Sequence, residues 1–308
     1  QPKFRDPLKG TFNGFDIISM PPPSSGAVAI IQMLNIVENF DLKSLKHNSP
    51  DYIHLLVETM KYTYADRAKY LGDTDFVKVP INKLTDKTYG KALSNSMSVT
   101  KIVDVATIHP ELVSPRESED TTHFSVVDKN GNIVSCTYTI NWSYGNRMVV
   151  PGTGIILNNE MDDFVAKPGV PNSFGLLGNH KNAIQANKRM LSSMTPTIVF
   201  KDKNPFLITG SPGGSTIITT VLQMILNTTV FDMDIKTASE QPRFHHQWYP
   251  DIIQLEESIA ENVAEELALQ GYKTKTRKLG ITQSILFKDG QWQGMSDPRS
   301  SSSLTVGY

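Results

Sequence analysis

A mid-chain stretch decides the fold of this 308-residue chain. It reads Asp120-Thr121-Thr122-His123-Phe124-Ser125-Val126-Val127-Asp128-Lys129-Asn130-Gly131-Asn132. Its Asn130-Gly131 pair is a strong signal for the turn of a β-hairpin. The residues on either side are therefore predicted to form two antiparallel strands, and the length of the loop decides which side chains share a face.

Two loop lengths are compatible with this turn. A two-residue loop would place Thr121 and Thr139 on opposite faces of the hairpin. A three-residue loop, with its glycine in the left-handed region, pairs Asp128 with Asn132. It brings Thr121 opposite Thr139 on one face, about 5 Å apart. We predict the three-residue loop, because only this register lets the Thr139 hydroxyl hold the Thr121 hydroxyl.

Thr121 would carry both a nucleophile and a base if it became an N-terminus. A hydroxyl is a weak nucleophile at neutral pH and needs a base, and a free α-amino group with a pKa near ~8 is a suitable one. Cleavage of the Asp120–Thr121 bond would place both groups on one residue. Before cleavage, the same hydroxyl could attack the Asp120 carbonyl and shift the acyl group from nitrogen to oxygen. Taken alone, however, a threonine pair at the start of a strand is more often structural.

Composition argues against several classes of function. The net charge of −1 points neither to a nucleic-acid partner nor to an anionic membrane. The single cysteine, Cys136, permits no intrachain disulfide and is expected to be a buried, inert thiol. No apolar run approaches the ~20 residues of a membrane span, and we recognise no signal peptide.

A second candidate element is Ser211-Pro212-Gly213-Gly214-Ser215, between a predicted strand over 205–211 and a predicted helix over about 216–226. A glycine pair at this point directs backbone N–H groups toward one place. The pair is compatible with a tight turn, and also with an oxyanion hole for acyl transfer. Beside a threonine nucleophile we prefer the oxyanion hole.

Acidic residues are concentrated in Leu157-Asn158-Asn159-Glu160-Met161-Asp162-Asp163-Phe164. They could bind calcium, but the segment lacks the glycine and the spacing of an EF-hand loop. Recognition of an ammonium group is the alternative. Residues 168–179 contain two prolines and three glycines, and we predict a mobile surface loop or lid there.

The motifs together resemble one family. TTHFSVVDKNGNIVSCTYTIN is similar to the start of the small subunit of γ-glutamyltranspeptidase, an N-terminal-nucleophile hydrolase whose precursor cuts itself before a threonine. The resemblance continues through LNNEMDDF, KPGVPN, NKRMLSSMTPTIV, GSPGGS, PRFHHQW and SDPRS. Upstream it includes SMPPPSSG, LNIVENFD and YADRAKYLGD. It covers nearly the whole chain and implies an α+β fold, a four-layer αββα sandwich with two packed antiparallel sheets.

The resemblance also implies an activity. The family transfers the γ-glutamyl group of glutathione or related amides to water, an amino acid or a peptide, and needs no cofactor. Thr121 would be the nucleophile, and Thr139 would orient its hydroxyl. The tetrahedral oxyanion would be stabilised by Gly213 and Gly214. The substrate α-amino group would be held by Asn141, Glu160 and Asp163, and its α-carboxylate by Ser192 and Ser193.

Several departures from the family pattern are visible. The family's main carboxylate-binding arginine belongs to an upstream part that this chain lacks, and Arg67 and Arg189 are not its counterparts. We therefore expect this chain alone to be weak or inactive. Phe174 stands where a tyrosine is common in the lid, so it cannot donate a hydroxyl to Asn141. Met190 stands where the motif commonly has proline.

The resemblance implies a division of the chain. Residues 1–120 would be the helical C-terminal part of the large subunit, ending in an exposed linker over 98–120, and residues 121–308 the complete small subunit. The missing N-terminal part of the large subunit would be a partner. Bacterial members are exported, so a periplasmic or secreted location is expected. Two alternatives remain: an unprocessed, catalytically incomplete fragment, and a related acylase or poly-γ-glutamate processing enzyme.

Overall fold

The computed structural model describes residues 2–98, 100–108, 121–259 and 261–307. The helices are α1 (Gly26–Val37), α2 (Pro50–Tyr70), α3 (Ile81–Leu84), α4 (Lys87–Ser96), α5 (Val105–Ile108), α6 (Thr216–Thr229), α7 (Ile235–Glu240) and α8 (Glu261–Gln270). The strands are β1 (Leu8–Phe12), β2 (Phe15–Ser19), β3 (Thr122–Val127), β4 (Ile133–Tyr138), β5 (Thr197–Lys201), β6 (Asn204–Thr209), β7 (Phe244–His245), β8 (Ile253–Leu255), β9 (Thr274–Thr276), β10 (Gln283–Lys288) and β11 (Gln291–Ser296). Short 3-10 helices span Glu160–Asp163 and His180–Asn182.

Two antiparallel sheets pack face to face. Six strands form the main sheet in the order β1-β2-β5-β6-β10-β11, and β3 and β4 form a separate hairpin that packs on β6 and β10. The helices α1 and α6 pack on the main sheet. Leu207 of β6 lies in the core shared with these helices, so the next residue, Ile208, lies on the face toward the hairpin. The α+β sandwich expected from the sequence is confirmed.

The hairpin has the predicted register. Thr122 pairs with Tyr138 and Val127 with Ile133. The loop closes with a hydrogen bond of 3.0 Å from Asp128 N to Asn132 O. Its glycine has a φ of 80°, a conformation that glycine adopts without steric cost. The three-residue loop is therefore confirmed, and Thr121 and Thr139 share one face.

The two faces of the hairpin differ. The inward face carries His123, which is buried against the main sheet, while Ser125 donates a hydrogen bond to Gln283 O of that sheet at 2.8 Å. The outward face carries Phe124, Val126, Val134 and Tyr138, which are 42–60% exposed. No helix within the described ranges packs extensively on this outward face. Three of the four expected layers, two sheets and one helical layer, are thus seen.

We had expected the part of the chain before residue 120 to be helical, but it also contains two strands. Residues 8–19 form β1 and β2, and β2 pairs with β5 along its whole length. Strand β1 contains Lys9, Gly10 and Thr11 and has little apolar alternation, so its sequence is a weak strand signal. The segments before and after residue 120 therefore share one sheet and one hydrophobic core.

Helix α2 is buried around almost its whole circumference. It begins after Ser49, whose side chain accepts a hydrogen bond from Tyr52 N, and it has Pro50 at its first position, a favourable combination for a helix start. Asp66 and Arg67 are each only 4% exposed. Neither residue therefore lies on the surface, because neighbouring elements cover most of the helix.

The first part of the predicted exposed linker is anchored to this helix. Val103 N donates to Glu58 Oε2 at 2.9 Å, and Lys61 Nζ donates to Val103 O at 3.2 Å. The indole of Trp248 donates to Val105 O at 2.9 Å. Residues 109–120, including Asp120, lie outside the described residues. In the part of the chain that the structure describes, no helix is both long and apolar enough to cross a membrane.

Candidate active site

The strand pairing places two threonine hydroxyls together. Thr121 Oγ1 donates a hydrogen bond to Thr139 Oγ1 at 3.4 Å. Thr139 Oγ1 also accepts a hydrogen bond of 2.8 Å from Asn141 N. Asn141 has a φ of 74°, and this bend after β4 turns its N–H back toward Thr139. The Thr139 hydroxyl is thus fixed from one side by the backbone and faces Thr121 on the other.

The glycine pair forms a turn immediately before α6. Gly213 and Gly214 have φ values of 134° and 52°, which favour glycine over residues with a side chain. Gly213 O accepts a hydrogen bond of 2.9 Å from Thr216 N. A Cβ atom on Gly214 would lie 2.4 Å from Cδ1 of Phe174. The backbone therefore approaches the lid residue as closely as a glycine permits.

A small cleft joins these elements. Its walls are formed by Thr121, Thr139, Asn141, Asp163, Phe174, Leu176, Ser192, Ser193, Met194, Gly214 and Ile217. The cleft thus gathers most of the site residues predicted from the sequence. Gly213 and Glu160 are close by in sequence to wall residues but do not line this cleft, and Asp120 is outside the described residues.

The acidic residues have different surroundings. Burial raises the pKa of Glu160 to about 7. Burial and the Glu160 carboxylate raise the pKa of Asp163 to about 7, although the Arg67 charge opposes this rise. Glu160 Oε1 is buried, and no group in the described part of the chain donates a hydrogen bond to it. A buried carboxylate without a donor suits a cationic ligand.

The remaining acid, Asp162, holds the lid instead. Asp162 Oδ2 accepts hydrogen bonds from the Ser173 backbone N–H, at 3.0 Å, and from the Ser173 hydroxyl. Within the described ranges, no group of three or more histidine, cysteine, aspartate or glutamate side chains could hold a metal ion. The calcium alternative for this segment has no support from these residues.

The two serines expected at the carboxylate end are clamped by an upstream turn. Ser192 N donates to Pro23 O at 2.9 Å, and Ser25 N donates to Ser192 O at 2.8 Å. Ser192 Oγ accepts a hydrogen bond from Met194 N at 3.0 Å. The Pro23-Ser24-Ser25-Gly26 turn thus supports the wall of the cleft.

The lid segment is packed at its centre. Phe174 is 4% exposed. Its carbonyl oxygen accepts a hydrogen bond of 3.1 Å from Gln247 Nε2, and Gln247 Oε1 in turn lies 3.0 Å from His245 Nε2. Trp142 Nε1 donates to Ser173 Oγ at 3.3 Å. The expectation of a surface loop therefore does not hold for the centre of residues 168–179.

Sequence reasoning missed two contributors to the site, Arg67 and Gln247. Arg67 Nη2 donates to Ser193 Oγ at 3.2 Å, and its Nε donates to Ser25 Oγ at 3.0 Å. Both residues lie far from the cleft residues in sequence, so no local pattern connects them.

Comparisons with known proteins identify the family of the chain. A sequence profile of the Gamma-glutamyltranspeptidase family matches residues 1–306. The glutathione hydrolase proenzyme of Escherichia coli (strain K12) is 49% identical over 306 residues, which cover 99% of this chain and 53% of that protein. The solved structure of a Helicobacter pylori γ-glutamyltranspeptidase mutant is 50% identical, with a TM-score of 0.56, and the match covers 58% of this chain and 100% of that chain. Cephalosporin acylase from Bacillus halodurans, at 23% identity, shares the fold with a TM-score of 0.81 over 97% of this chain and 52% of that chain.

The packed antiparallel sheets and the likeness to these solved structures define an N-terminal-nucleophile hydrolase fold. The profile match and the 49% identity narrow the class further. The chain belongs to the γ-glutamyltranspeptidase family. It spans about half the length of the curated relatives that it matches, 53% in the case of the Escherichia coli protein.

Proposed function

We propose that the protein containing this chain transfers the γ-glutamyl group of glutathione, or of a related amide, to water, an amino acid or a peptide. The observation that carries the proposal is the cleft beside Thr121, whose walls include the buried carboxyl of Asp163 and the hydroxyls of Ser192 and Ser193. A γ-glutamyl group carries an ammonium and a carboxylate on one carbon, so such a cleft matches both. Relatives are named glutathione hydrolase proenzymes.

Maturation would begin at the Asp120–Thr121 bond. The Thr121 oxygen attacks the Asp120 carbonyl carbon, the C–N bond breaks, and an ester forms with a free amine. Water then hydrolyses the ester, which releases the Asp120 carboxyl group and the Thr121 hydroxyl. The word proenzyme in the names of relatives supports such processing. The hydrogen bond to Thr139 supports an oriented Thr121 hydroxyl.

Acyl transfer would use the same oxygen. The Thr121 oxygen attacks the γ-carbonyl carbon while its α-amine accepts the hydroxyl proton. The oxyanion would be stabilised by backbone N–H groups of Gly213 and Gly214, and one such donor typically contributes about 10²–10³-fold in rate. The protonated amine gives its proton to the leaving amine, and a γ-glutamyl ester remains. Water or an acceptor amine then attacks the ester and regenerates Thr121.

The two ends of the substrate would be held by different chemistry. Ionised Glu160 and Asp163, with the Asn141 side chain, would accept hydrogen bonds from the α-ammonium group. The α-carboxylate would accept hydrogen bonds from Ser192 and Ser193. Ser192 Oγ already accepts a hydrogen bond from Met194 N, which leaves its O–H available as a donor. No cofactor takes part in these steps.

We further propose that residues 1–120 and 121–308 become the two products of maturation and stay together. The sheet and the core that they share support this division without separation, and a solved relative matches 58% of this chain over its own full length. The exposed outward face of the β3–β4 hairpin supports coverage by another part of the large subunit. That part would supply the carboxylate-binding arginine. A nucleic acid or a membrane is not a proposed partner, and the proposed location is periplasmic or secreted.

The complete protein, incubated after purification, tests the proposal by intact-mass spectrometry beside a Thr121→Ala variant. We expect two masses whose sum equals the precursor plus one water, and one unchanged mass for the variant. Hydrolysis of γ-glutamyl-p-nitroanilide should follow processing. A single mass in both samples, without turnover, would favour the unprocessed fragment instead. Faster turnover of glutaryl-p-nitroanilide, which lacks the α-amino group, would favour a related acylase.

A further inference from the structure

A buried arginine contacts the cleft wall at Ser193, one of the two serines expected to bind the substrate α-carboxylate. Arg67 is 4% exposed and belongs to α2, far from the other site residues in sequence. Its Nη2 donates a hydrogen bond to Ser193 Oγ at 3.2 Å, and its Nε donates to Ser25 Oγ at 3.0 Å. Arg67 does not itself line the cleft, whereas Ser193 does. The guanidinium contacts the wall of the cleft through Ser193, and it lines a small adjoining pocket together with Asp163.

These contacts decide which way the Ser193 hydroxyl points. A guanidinium has donors only, so Ser193 Oγ must act as the acceptor toward Arg67. The O–H of Ser193 cannot donate to the cation and is left to donate to another acceptor. Because Ser193 lines the cleft, a carboxylate bound there is a suitable acceptor. The same reasoning applies to Ser25, which accepts from Arg67 and donates to Ser192 O at 2.8 Å.

Two donor nitrogens of Arg67, Nη2 and Nε, thus act on Ser193 and Ser192, the two serines of the cleft. Nη2 contacts Ser193 directly. The other contacts Ser25, whose hydroxyl and backbone N–H both hold the Ser192 carbonyl at 2.8 Å. A lysine ammonium is a compact charge on a flexible stem and lacks the planar fork of a guanidinium, so we expect a lysine to keep at most one of these two contacts.

We propose that Arg67 is a positioning residue that orients Ser193 as a hydrogen-bond donor toward the α-carboxylate of the substrate. This inference rests on the proposed γ-glutamyl transfer and deepens it. It assigns Arg67 to substrate selection through Ser193, and not to direct contact with the substrate. The charge of Arg67 also lies near Asp163, so a useful variant must keep a cation at this place.

The experiment uses the complete protein with Arg67→Lys, Ser193→Ala and the double variant. Arg189→Lys is the matched control, because Arg189 is more exposed and pairs at 3.7 Å with Asp75, outside the cleft. Two substrates are compared: γ-glutamyl-p-nitroanilide, and 4-aminobutanoyl-p-nitroanilide, which lacks only the α-carboxylate. Intact mass establishes that each variant has matured before its kcat and KM are measured.

We expect Arg67→Lys to lower kcat/KM for the γ-glutamyl substrate about tenfold to a hundredfold, mainly through KM, since hydrogen bonds to charged groups are lost. Turnover of the 4-aminobutanoyl substrate should change less than about twofold. The double variant should be no worse than Ser193→Ala, because Arg67 acts through Ser193. Arg189→Lys should match the unsubstituted protein on both substrates.

Other outcomes distinguish the role of Arg67 from the proposed γ-glutamyl transfer. Equal losses on both substrates, or losses that multiply in the double variant, would overturn the role of Arg67 and leave the proposed function intact. Absence of turnover by the unsubstituted, processed protein would overturn the proposed function itself. If Arg67→Lys does not mature, Ser25→Ala takes its place. This variant removes the partner of Arg67 Nε and should show a smaller loss of kcat/KM, confined to the γ-glutamyl substrate. Failure of both variants to mature, while Ser193→Ala matures, would make Arg67 purely structural.

Discussion

The Thr121 hydroxyl donates to the Thr139 hydroxyl across the hairpin, at 3.4 Å between the oxygens. Thr139 is in turn held by the Asn141 N–H at 2.8 Å. This chain of two hydrogen bonds fixes the direction of the nucleophile before any substrate arrives, which is the condition for an efficient attack on a bound carbonyl.

Replacing Thr139 tests this relationship. Thr139→Val keeps the shape of the side chain but removes the acceptor, so self-cleavage and turnover should both slow by about tenfold to a hundredfold, the effect of losing about 1–3 kcal/mol of hydrogen bonding. Thr139→Ser retains the hydroxyl and should keep most of the rate. The measurement is the rate of precursor disappearance on a denaturing gel. Equal self-cleavage rates for Thr139→Val and Thr139→Ser would argue against an orienting role for the Thr139 hydroxyl.

Gly214 is expected to be intolerant of any side chain, because a Cβ would lie 2.4 Å from Phe174. Gly214→Ala should displace the lid residue and lower kcat/KM at least tenfold. Gly131→Ala is the matched control: it also has a positive φ, of 80°, but nothing lies within 4 Å of its added Cβ. This control should lose only about 1 kcal/mol of stability through backbone strain and keep its kcat/KM.

A second substitution provides the check on Gly214. Phe174→Ala in the Gly214→Ala background removes the atoms that would clash. If the clash is the cause, the double variant should recover part of the lost kcat/KM. No recovery would mean that the alanine acts through the turn backbone alone.

The acidic end of the cleft predicts a pH dependence. Burial raises the pKa of both Glu160 and Asp163 to about 7. Below pH 6 both carboxyls are then mostly protonated and neutral, and above pH 8 both are ionised. Since an ammonium group binds the ionised form, the kcat/KM for γ-glutamyl-p-nitroanilide relative to glutaryl-p-nitroanilide should rise from pH 6 to pH 8. The glutaryl substrate corrects for titration of the nucleophile.

The control for this profile is Asp163→Asn, which removes one titrating group and should flatten the rise. A ratio that stays constant with pH in the unsubstituted protein would contradict ammonium recognition by these carboxyls. The pH dependence of the free energy of unfolding has the opposite sign. The folded state keeps protons that the unfolded state releases between about pH 4 and pH 7, so the free energy of unfolding without substrate should fall as the pH rises through that window.

Gln247 is predicted to hold the lid. Its Nε2 donates to the Phe174 carbonyl at 3.1 Å, and Gln247→Leu would leave that carbonyl without this donor, at a cost of about 1–3 kcal/mol. Amide hydrogen exchange in residues 168–179 should therefore become faster, by about tenfold or more. The exposed Gln291 offers a matched control, since Gln291→Leu changes the same side chain on the surface. Unchanged exchange in the lid would show that other contacts hold it.

The sequence by itself determined the local geometry of the nucleophile. Asn130-Gly131 located the turn and left two loop lengths open, and the requirement that the Thr121 and Thr139 hydroxyls meet selected the three-residue loop. The reason is physical: a glycine in the left-handed region sets the loop, and the two-residue period of a strand then fixes every side chain as inward or outward. Helix α2 likewise begins at local signals, the Ser49 cap and Pro50 at its first position.

Only the tertiary structure decided what surrounds that nucleophile. The burial of Arg67, the contact of Gln247 with the lid, and the anchoring of Val103 to α2 all join residues that are distant in the sequence. Arg67 is polar, and its place on a helix does not reveal whether neighbouring elements will cover it. Whether a charged side chain is solvated or becomes an internal donor depends on the packing of the other elements, and that packing is a property of the whole fold.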